Sequence, residues 1–312
     1  MYKVLLEKTL LMVIGMWLTY LLSAKLLEKF NETDSRQITN FYIPAIGKKV
    51  NLNKYEQIIS EDIVKKSKYT MDNVVGHDDV KNDIIHTIIK PINENFDKLP
   101  NGIILHGKPG TGKTLLAKCI SDSVNAHFIQ FNVSNIENKY FGESSKFLAA
   151  LFTLAKKIQP CIIFIDEIDG FCGERNPMEQ FHINSIKTQF LGLVDGLDNK
   201  EEKNKIICIG ATNRLEYIDK AVKRRMRKHI HLELPNKENV KTLFEMYLPK
   251  DILEHITDDI IELCSGLSGS DIHELSKDIE LNITFNSSDK SPSEIIFNRV
   301  LQFTDDEAFS GA

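Results

Sequence analysis

Eight consecutive residues, Gly107-Lys108-Pro109-Gly110-Thr111-Gly112-Lys113-Thr114, have the types and spacing of a phosphate cradle, G-x-x-x-x-G-K-[ST]. Glycines let backbone N–H groups turn inward onto phosphate oxygens, and the dipole of a following helix adds to them. Lys113 supplies a point charge for the β- and γ-phosphates, and Thr114 offers a hydroxyl to Mg²⁺. Lys108 is an extra positive charge in the loop, read as solvent-exposed. A second constellation follows about fifty residues on, where the apolar run Cys161-Ile162-Ile163-Phe164-Ile165 ends in Asp166-Glu167. Asp166 suits the metal shell, and Glu167 is placed to orient and deprotonate an attacking water. Asp169 is acidic too but one turn away, and ranks lower. A third run, Ile206–Ile209, leads through Gly210-Ala211-Thr212 to Asn213, whose amide can hold that water or sense the γ-phosphate. The basic cluster Lys223-Arg224-Arg225-Met226-Arg227-Lys228 has two readings. It is a solvated or acid-binding face, or it holds arginine fingers that stabilise phosphoryl transfer from a neighbouring subunit.

These groups need elements to hold them. Ile103–Leu105, Phe128–Val133, Cys161–Ile165, Ile206–Ile209 and Ile230–Leu234 read as strands, most of them separated by helical runs. That alternation predicts a parallel sheet with helices on both faces. Leu115 to Val124 reads as the helix behind the phosphate loop. After Pro235, helices are expected at Val240–Tyr247, Asp258–Cys264, Ser270–Leu281 and Glu294–Phe303, a helical subdomain following the sheet.

The chain has 312 residues, 42% hydrophobic and 27% charged, room for one large folded domain or two modest ones. A net charge of −5 gives no support for a nucleic-acid footprint. Five scattered cysteines without a C-x-x-C argue for a reducing compartment and against a disulfide scaffold or a zinc site. Thr9 to Ala24 is uncharged and bracketed by Lys8 and Lys25. As a helix it spans about 24 Å, short of a ~30 Å hydrocarbon core. Flanking apolar residues extend it if the two lysines snorkel. It is expected to be a membrane-spanning anchor, with a cleaved signal or a peripheral helix as alternatives. Residues 31–70 are polar and mixed, and read as a linker with one amphipathic helix near Lys54 to Lys66.

With these motifs in place the chain resembles the AAA ATPases. Among them it resembles the membrane-anchored outer-mitochondrial extractases that remove mislocalised tail-anchored proteins. The resemblance covers about residues 70–285. It rests on Asp72-Asn73-Val74-Val75-Gly76-His77, the phosphate loop, Lys139-Tyr140-Phe141-Gly142-Glu143-Ser144 and Gln159 through Asp169. It continues through Asp195-Gly196-Leu197, Gly210 to Arg214, Arg224-Arg225-Met226 and Gly266 to Asp271. It implies an ATP hydrolase using ATP and Mg²⁺, with Thr114 and Asp166 on the metal. The implied catalytic set is Lys113, Asp166, Glu167, Asn213, Arg224 and Arg225. The implied nucleotide-binding set is Val75 and Gly76 at the adenine, Gly107, Lys108, Pro109, Gly110, Thr111, Gly112, Lys113, Thr114 and Leu115 along the phosphates, and Gly269 and Ser270 on a lid. It implies a homohexamer whose pore grips an extended polypeptide with Lys139, Tyr140 and Phe141, and a second pore loop at Arg175 to Gln180. Its partners would be copies of itself, unfolded or membrane-inserted protein substrates and a membrane, with no nucleic acid. It would face the cytosol from the mitochondrial outer membrane or a peroxisome.

The implied fold is α/β. Residues 1–30 form an N-terminal transmembrane anchor and 31–70 a linker. Residues 71–234 form the P-loop AAA large domain, a five-stranded parallel sheet flanked by helices. Residues 235–304 form a small α-helical lid and 305–312 an acidic tail. Tyr140 stands where Trp is common, Phe141 for Tyr, Lys108 for Pro, His106 for Tyr and His229 for Arg. A related remodeller of the microtubule-severing or membrane-scission type is the competing reading. A membrane protease would need H-E-x-x-H, and His273-Glu274-Leu275-Ser276-Lys277 lacks the second histidine. A non-catalytic subunit is at odds with the intact Lys113, Asp166, Glu167 and Asn213.

Overall fold

The computed structural model describes residues 38–64, 69–94, 100, 102–132, 143–173, 180–198, 205–285 and 291–310. The expected anchor at 9–24 lies outside the described residues, as do Lys139, Tyr140, Phe141 and residues 175–179. Among the described residues no helix is long and apolar enough to cross a membrane.

The described chain opens with a hairpin, β1 (Thr39–Ile43) and β2 (Lys48–Leu52), followed by helix α1 (Lys54–Ile59) and the two-residue strand β3 (Ile63–Val64). Helix α2 (Asp78–Ile84) continues through a π-helical turn (Ile85–Ile89) into α3 (Lys90–Asn93). The sheet domain then alternates through β4 (Gly102–His106), α4 (Lys113–Ser123), β5 (His127–Phe131), α5 (Ser144–Lys157), β6 (Cys161–Ile165), α6 (Asp169–Cys172), α7 (Gln180–Asp195), β7 (Ile206–Thr212), α8 (Lys220–Arg225) and β8 (Lys228–His231). Five helices close the chain: α9 (Lys237–Tyr247), α10 (Lys250–Leu253), α11 (Asp258–Leu263), α12 (Gly269–Phe285) and α13 (Pro292–Ser310).

Sheet order is β3-β5-β6-β7-β4-β8. The five longer strands are parallel, as expected, but a sixth is added. β3 pairs antiparallel with β5, Ile63 opposite Ile129. Two residues give no periodicity to read, so this edge was invisible in the sequence. The central strands are buried on both faces, which is why they appear as unbroken apolar runs. Alternate residues feed two cores. Ile104, Ile163 and Ile165 join α1, α5 and α7 on one face. Ile103, Leu105, Ile162 and Phe164 join α2 and α4 on the other.

The stretch expected as a linker is folded from Ile38 onward. Ile43, Leu52, Tyr55 and Ile59 are buried in the same core as α5 and α7. The alternation of Phe41 with Ile43, and of Val50 with Leu52, around the turn at Gly47 is the pattern of a half-buried hairpin. The helix there ends at Ile59 rather than near Lys66. Helices α9 to α13 enclose a third core of Val240, Phe244, Ile272, Leu275, Ile296 and Val300.

Candidate nucleotide site

Strand β4 lies between β7 and β8 while its chain continues to the far strand β5. A crevice opens outside the carboxyl end of such a strand. Register fixes what meets there. His106 pairs with Thr212 on one side and His231 on the other, and Ile165 pairs with Gly210. The phosphate loop, Asp166-Glu167 and Asn213 therefore leave the sheet at one edge.

Gly110 and Gly112 take left-handed φ of 74° and 90°, turning the loop before α4 begins at Lys113. Lys113 is 9% exposed, and its ammonium donates to the carbonyls of Gly107 (2.9 Å) and Lys108 (2.8 Å). No described carboxylate lies within ion-pair distance of it. Burial pulls its pKa down, and the charge of Asp166 offsets part of that. A buried cation satisfied only by carbonyls, at the start of an eleven-residue helix, fits an anionic ligand. The Lys108 side chain is exposed, as expected, and its carbonyl also accepts from Thr111 Oγ1 at 2.9 Å.

Asp166 accepts from the Glu167 N–H at 3.0 Å, and Glu167 sits at φ 49°, a conformation that costs a non-glycine residue energy and clusters at functional sites. The turn is tied to the next strand. Ile168 N–H donates to Ala211 O (3.0 Å), and Thr212 Oγ1 donates to Asp169 Oδ1 (2.8 Å) while accepting from Arg214 N–H (2.9 Å). Asp169, ranked below Asp166 from sequence, is thus engaged in holding the strand end that presents Asn213.

A cleft of about 530 Å³ brings these residues together. Pro109, Gly110, Thr111, Gly112, Lys113, Thr114 and Leu115 line it with Asp166, Glu167 and Asn213. Val75, Gly269 and Ser270 line its other walls. Gly76, Gly107 and Lys108 are not on its surface. Gly76 lies against the Asn239 amide of α9, and Gly107 against the Leu232 carbonyl. The lid reaches the loop directly, with Ser270 N–H donating to Gly110 O at 3.2 Å.

Arg224 and Arg225 stand apart from this cleft, at the end of α8. Arg225 Nε bonds both oxygens of Asp195 on α7, at 3.1 and 3.3 Å, while Arg224 is exposed. Asp219 caps α8 and takes Lys187 of α7 at 2.7 Å. Sequence reasoning missed Tyr69, His77, Tyr247 and His273, which also line the cleft. The Tyr247 and His273 rings meet at 4.5 Å. They come from separate lid helices, and no local motif links them. His106 stacks on His231 at 4.8 Å beside the loop, and burial, followed by His231, His229 and Lys113, lowers its pKa. All five cysteines are free and buried.

Comparison with known proteins agrees with this geometry. The profile of the ATPase family associated with various cellular activities, AAA, matches residues 103–234. The chain is 36% identical over 266 residues to the outer mitochondrial transmembrane helix translocase of Xenopus tropicalis, covering 80% of this chain and 73% of that protein. It is 36% identical over 245 residues to the Homo sapiens protein of the same name, covering 75% of this chain and 68% of that one. Among solved structures it is similar to the FIGL-1 AAA domain in complex with ADP, with a TM-score of 0.65 at 26% identity, covering 80% of this chain and 88% of that one.

Proposed function

This chain belongs to the AAA ATPase family of ATP-hydrolysing enzymes, and from that premise we propose that it is an extractase. It uses ATP and Mg²⁺ to pull mislocalised tail-anchored proteins out of the mitochondrial outer membrane, as a homohexamer threading them through a central pore. The observation that carries the reading is the convergence of Lys113, Thr114, Asp166, Glu167 and Asn213 on one cleft, with Arg224 and Arg225 away from it.

In this reading Lys113 exchanges its loop carbonyls for β- and γ-phosphate oxygens. Thr114 and Asp166 hold Mg²⁺, which supplies charge neutralisation on the phosphates when bound. Glu167 takes the proton of the attacking water, and Asn213 keeps that water in line. Val75 faces the base, Gly76 backs it from behind the cleft wall against Asn239, and Gly269 and Ser270 close the lid over it. The arginines serve a neighbour's nucleotide, which is consistent with their distance from their own cleft and explains why the working unit is a ring. Lys139, Tyr140 and Phe141 grip the client through aromatic faces that accept any sequence, and residues 1–30 hold the ring at the membrane. That the relatives are outer mitochondrial transmembrane helix translocases supports a membrane-inserted client and this membrane.

The test is reconstitution of the full chain in lipid vesicles with a client bearing one C-terminal transmembrane helix. Release of the client is expected to require hydrolysable ATP. Glu167→Gln is expected to bind ATP without turnover or release, and Tyr140→Ala to release nothing. Release without ATP, or wild-type hydrolysis by Glu167→Gln, overturns the reading.

A further inference from the structure

The cleft has walls that phosphate chemistry does not use. Lys113, Thr114, Asp166, Glu167 and Asn213 account for the phosphates, the metal and the water. Val75, Leu243, Tyr247 and His273 line the same cleft and are apolar or aromatic. All four lie outside the family-matched residues 103–234.

Two lid helices build most of this surface. On α9, Leu243 and Tyr247 are four residues apart and share a face. On α12, Ser270 and His273 are three apart and also share a face, with His273 about 4.5 Å further along the axis. Ser270 is the residue whose N–H reaches Gly110 O on the phosphate loop. His273 therefore stands nearly one turn beyond the joint between lid and loop. The Tyr247 and His273 rings meet between the helices, with centroids 4.5 Å apart and planes tilted by 46°. Tyr247 and Val75 are half-buried, and both pack against the lid core.

Burial raises the Tyr247 pKa, yet its hydroxyl has no hydrogen-bond partner among the described residues, and neither have the His273 ring nitrogens. A tyrosine hydroxyl taken out of water ordinarily finds a partner. Apolar and aromatic walls carrying a few unspent polar groups are the usual make-up of a small-molecule site.

We propose that Tyr247 and His273 are specificity-determining residues whose paired rings stack on the base of the bound nucleotide and favour a purine. The inference rests on the reading of this cleft as the ATP site and deepens it. Aromatic stacking accepts every base but strengthens with the stacking face, so a purine gains more than a pyrimidine. Both rings belong to the lid, so the base is held by the lid while the phosphates are held by the loop.

The experiment measures the dissociation constants of ADP and UDP for the full chain, each with Mg²⁺. The two ligands share ribose and diphosphate and differ in the base. Wild type is expected to bind ADP more tightly. Tyr247→Leu keeps apolar bulk on the lid core and removes the ring face. It is expected to weaken ADP about fivefold to hundredfold and UDP less, narrowing the ratio. His273→Leu is expected to act in the same direction. Tyr247→Phe, which keeps the ring, is expected to lose only about threefold, the worth of one hydrogen bond. Equal weakening of ADP and UDP in Tyr247→Leu, or wild-type ADP binding in both leucine variants, overturns the proposal. So does a wild type that holds UDP as tightly as ADP. Lys113→Ala in parallel tests the cleft reading itself. If it binds both nucleotides normally, that reading fails and this proposal with it. If it loses both while the leucine variants keep the wild-type ratio, only the role of the two rings fails.

Discussion

Gly110→Ala probes how the phosphate loop and the lid are fitted together. Gly110 sits at φ +74°, and a Cβ built there would lie 2.0 Å from Ser268 Oγ and 2.8 Å from Ser268 Cβ. Placing alanine in the left-handed region costs about 1–2 kcal/mol. Forcing it against a buried neighbour adds about 1–3 kcal/mol, for a total of about 2–5 kcal/mol. Ser268 cannot simply rotate away. Its hydroxyl accepts from Asp271 N–H at 3.3 Å, and its own N–H donates to Asp271 Oδ2 at 2.7 Å, a reciprocal cap at the start of α12. Gly112→Ala is the matched control, because φ is +90° there but nothing lies within 4 Å of the added Cβ. It carries the backbone term alone. Thermal unfolding of the nucleotide-free protein is expected to place Gly110→Ala below Gly112→Ala by roughly 2–4 °C per kcal/mol of the contact term. Ser268→Ala alone loses the cap, about 1 kcal/mol. Added to Gly110→Ala it is expected to cost less than that, or to restore stability, because it removes the atom at 2.0 Å. Equal melting temperatures for the two glycine variants, with an additive double mutant, would refute the fit between loop and lid.

Two further outcomes are expected. Because Arg225 is paired with Asp195 in its own chain while Arg224 is exposed, Arg224→Ala is expected to reduce steady-state ATP turnover of the assembled enzyme more than Arg225→Ala. Stability should change little in either, since an exposed pair is worth about 0.2–1 kcal/mol. Equal losses of turnover would contradict the division. The second outcome concerns pH. His106 titrates below its ordinary 6.5 in the folded chain, so between that lower value and about 6.5 the unfolded chain binds more protons. Stability therefore rises with pH across this window and falls on acidification below about pH 6.5. Melting curves at about pH 7.5 and about pH 5.5 should show a smaller acid loss for His106→Gln than for wild type, and identical losses would remove His106 as the cause.

The catalytic half of the cleft is legible in the sequence because each part is contiguous. A strand and the residues at its tip form one unbroken string, as in Ile103 through Thr114, Cys161 through Glu167 and Ile206 through Asn213. Their convergence follows from parallel pairing alone. The lid half is not legible in that way. Tyr247 and His273 lie on different helices and meet only after the third core has formed. The same holds for Asn239 against Gly76. The hairpin reads as linker in the sequence because each of its strands buries a single residue, too faint an alternation among lysines and asparagines. The pairing of Arg225 with Asp195 separates two adjacent arginines that share charge and context in the sequence. Only the placement of α7 beside α8 tells them apart.

The third core has a thermodynamic consequence. Helices α9 to α13 bury their apolar faces mainly against one another, so the lid can swing without opening the cores that hold the sheet. Between the two bodies stand a few small joints, among them Ser270 on Gly110 and Asn239 on Gly76, with the nucleotide cleft between them. A ligand there is a shared part, belonging to neither body and stabilising their union by mass action. The cooperativity of unfolding thus becomes a property of nucleotide occupancy. The empty protein is expected to melt as two weakly joined units, and the loaded protein to approach one.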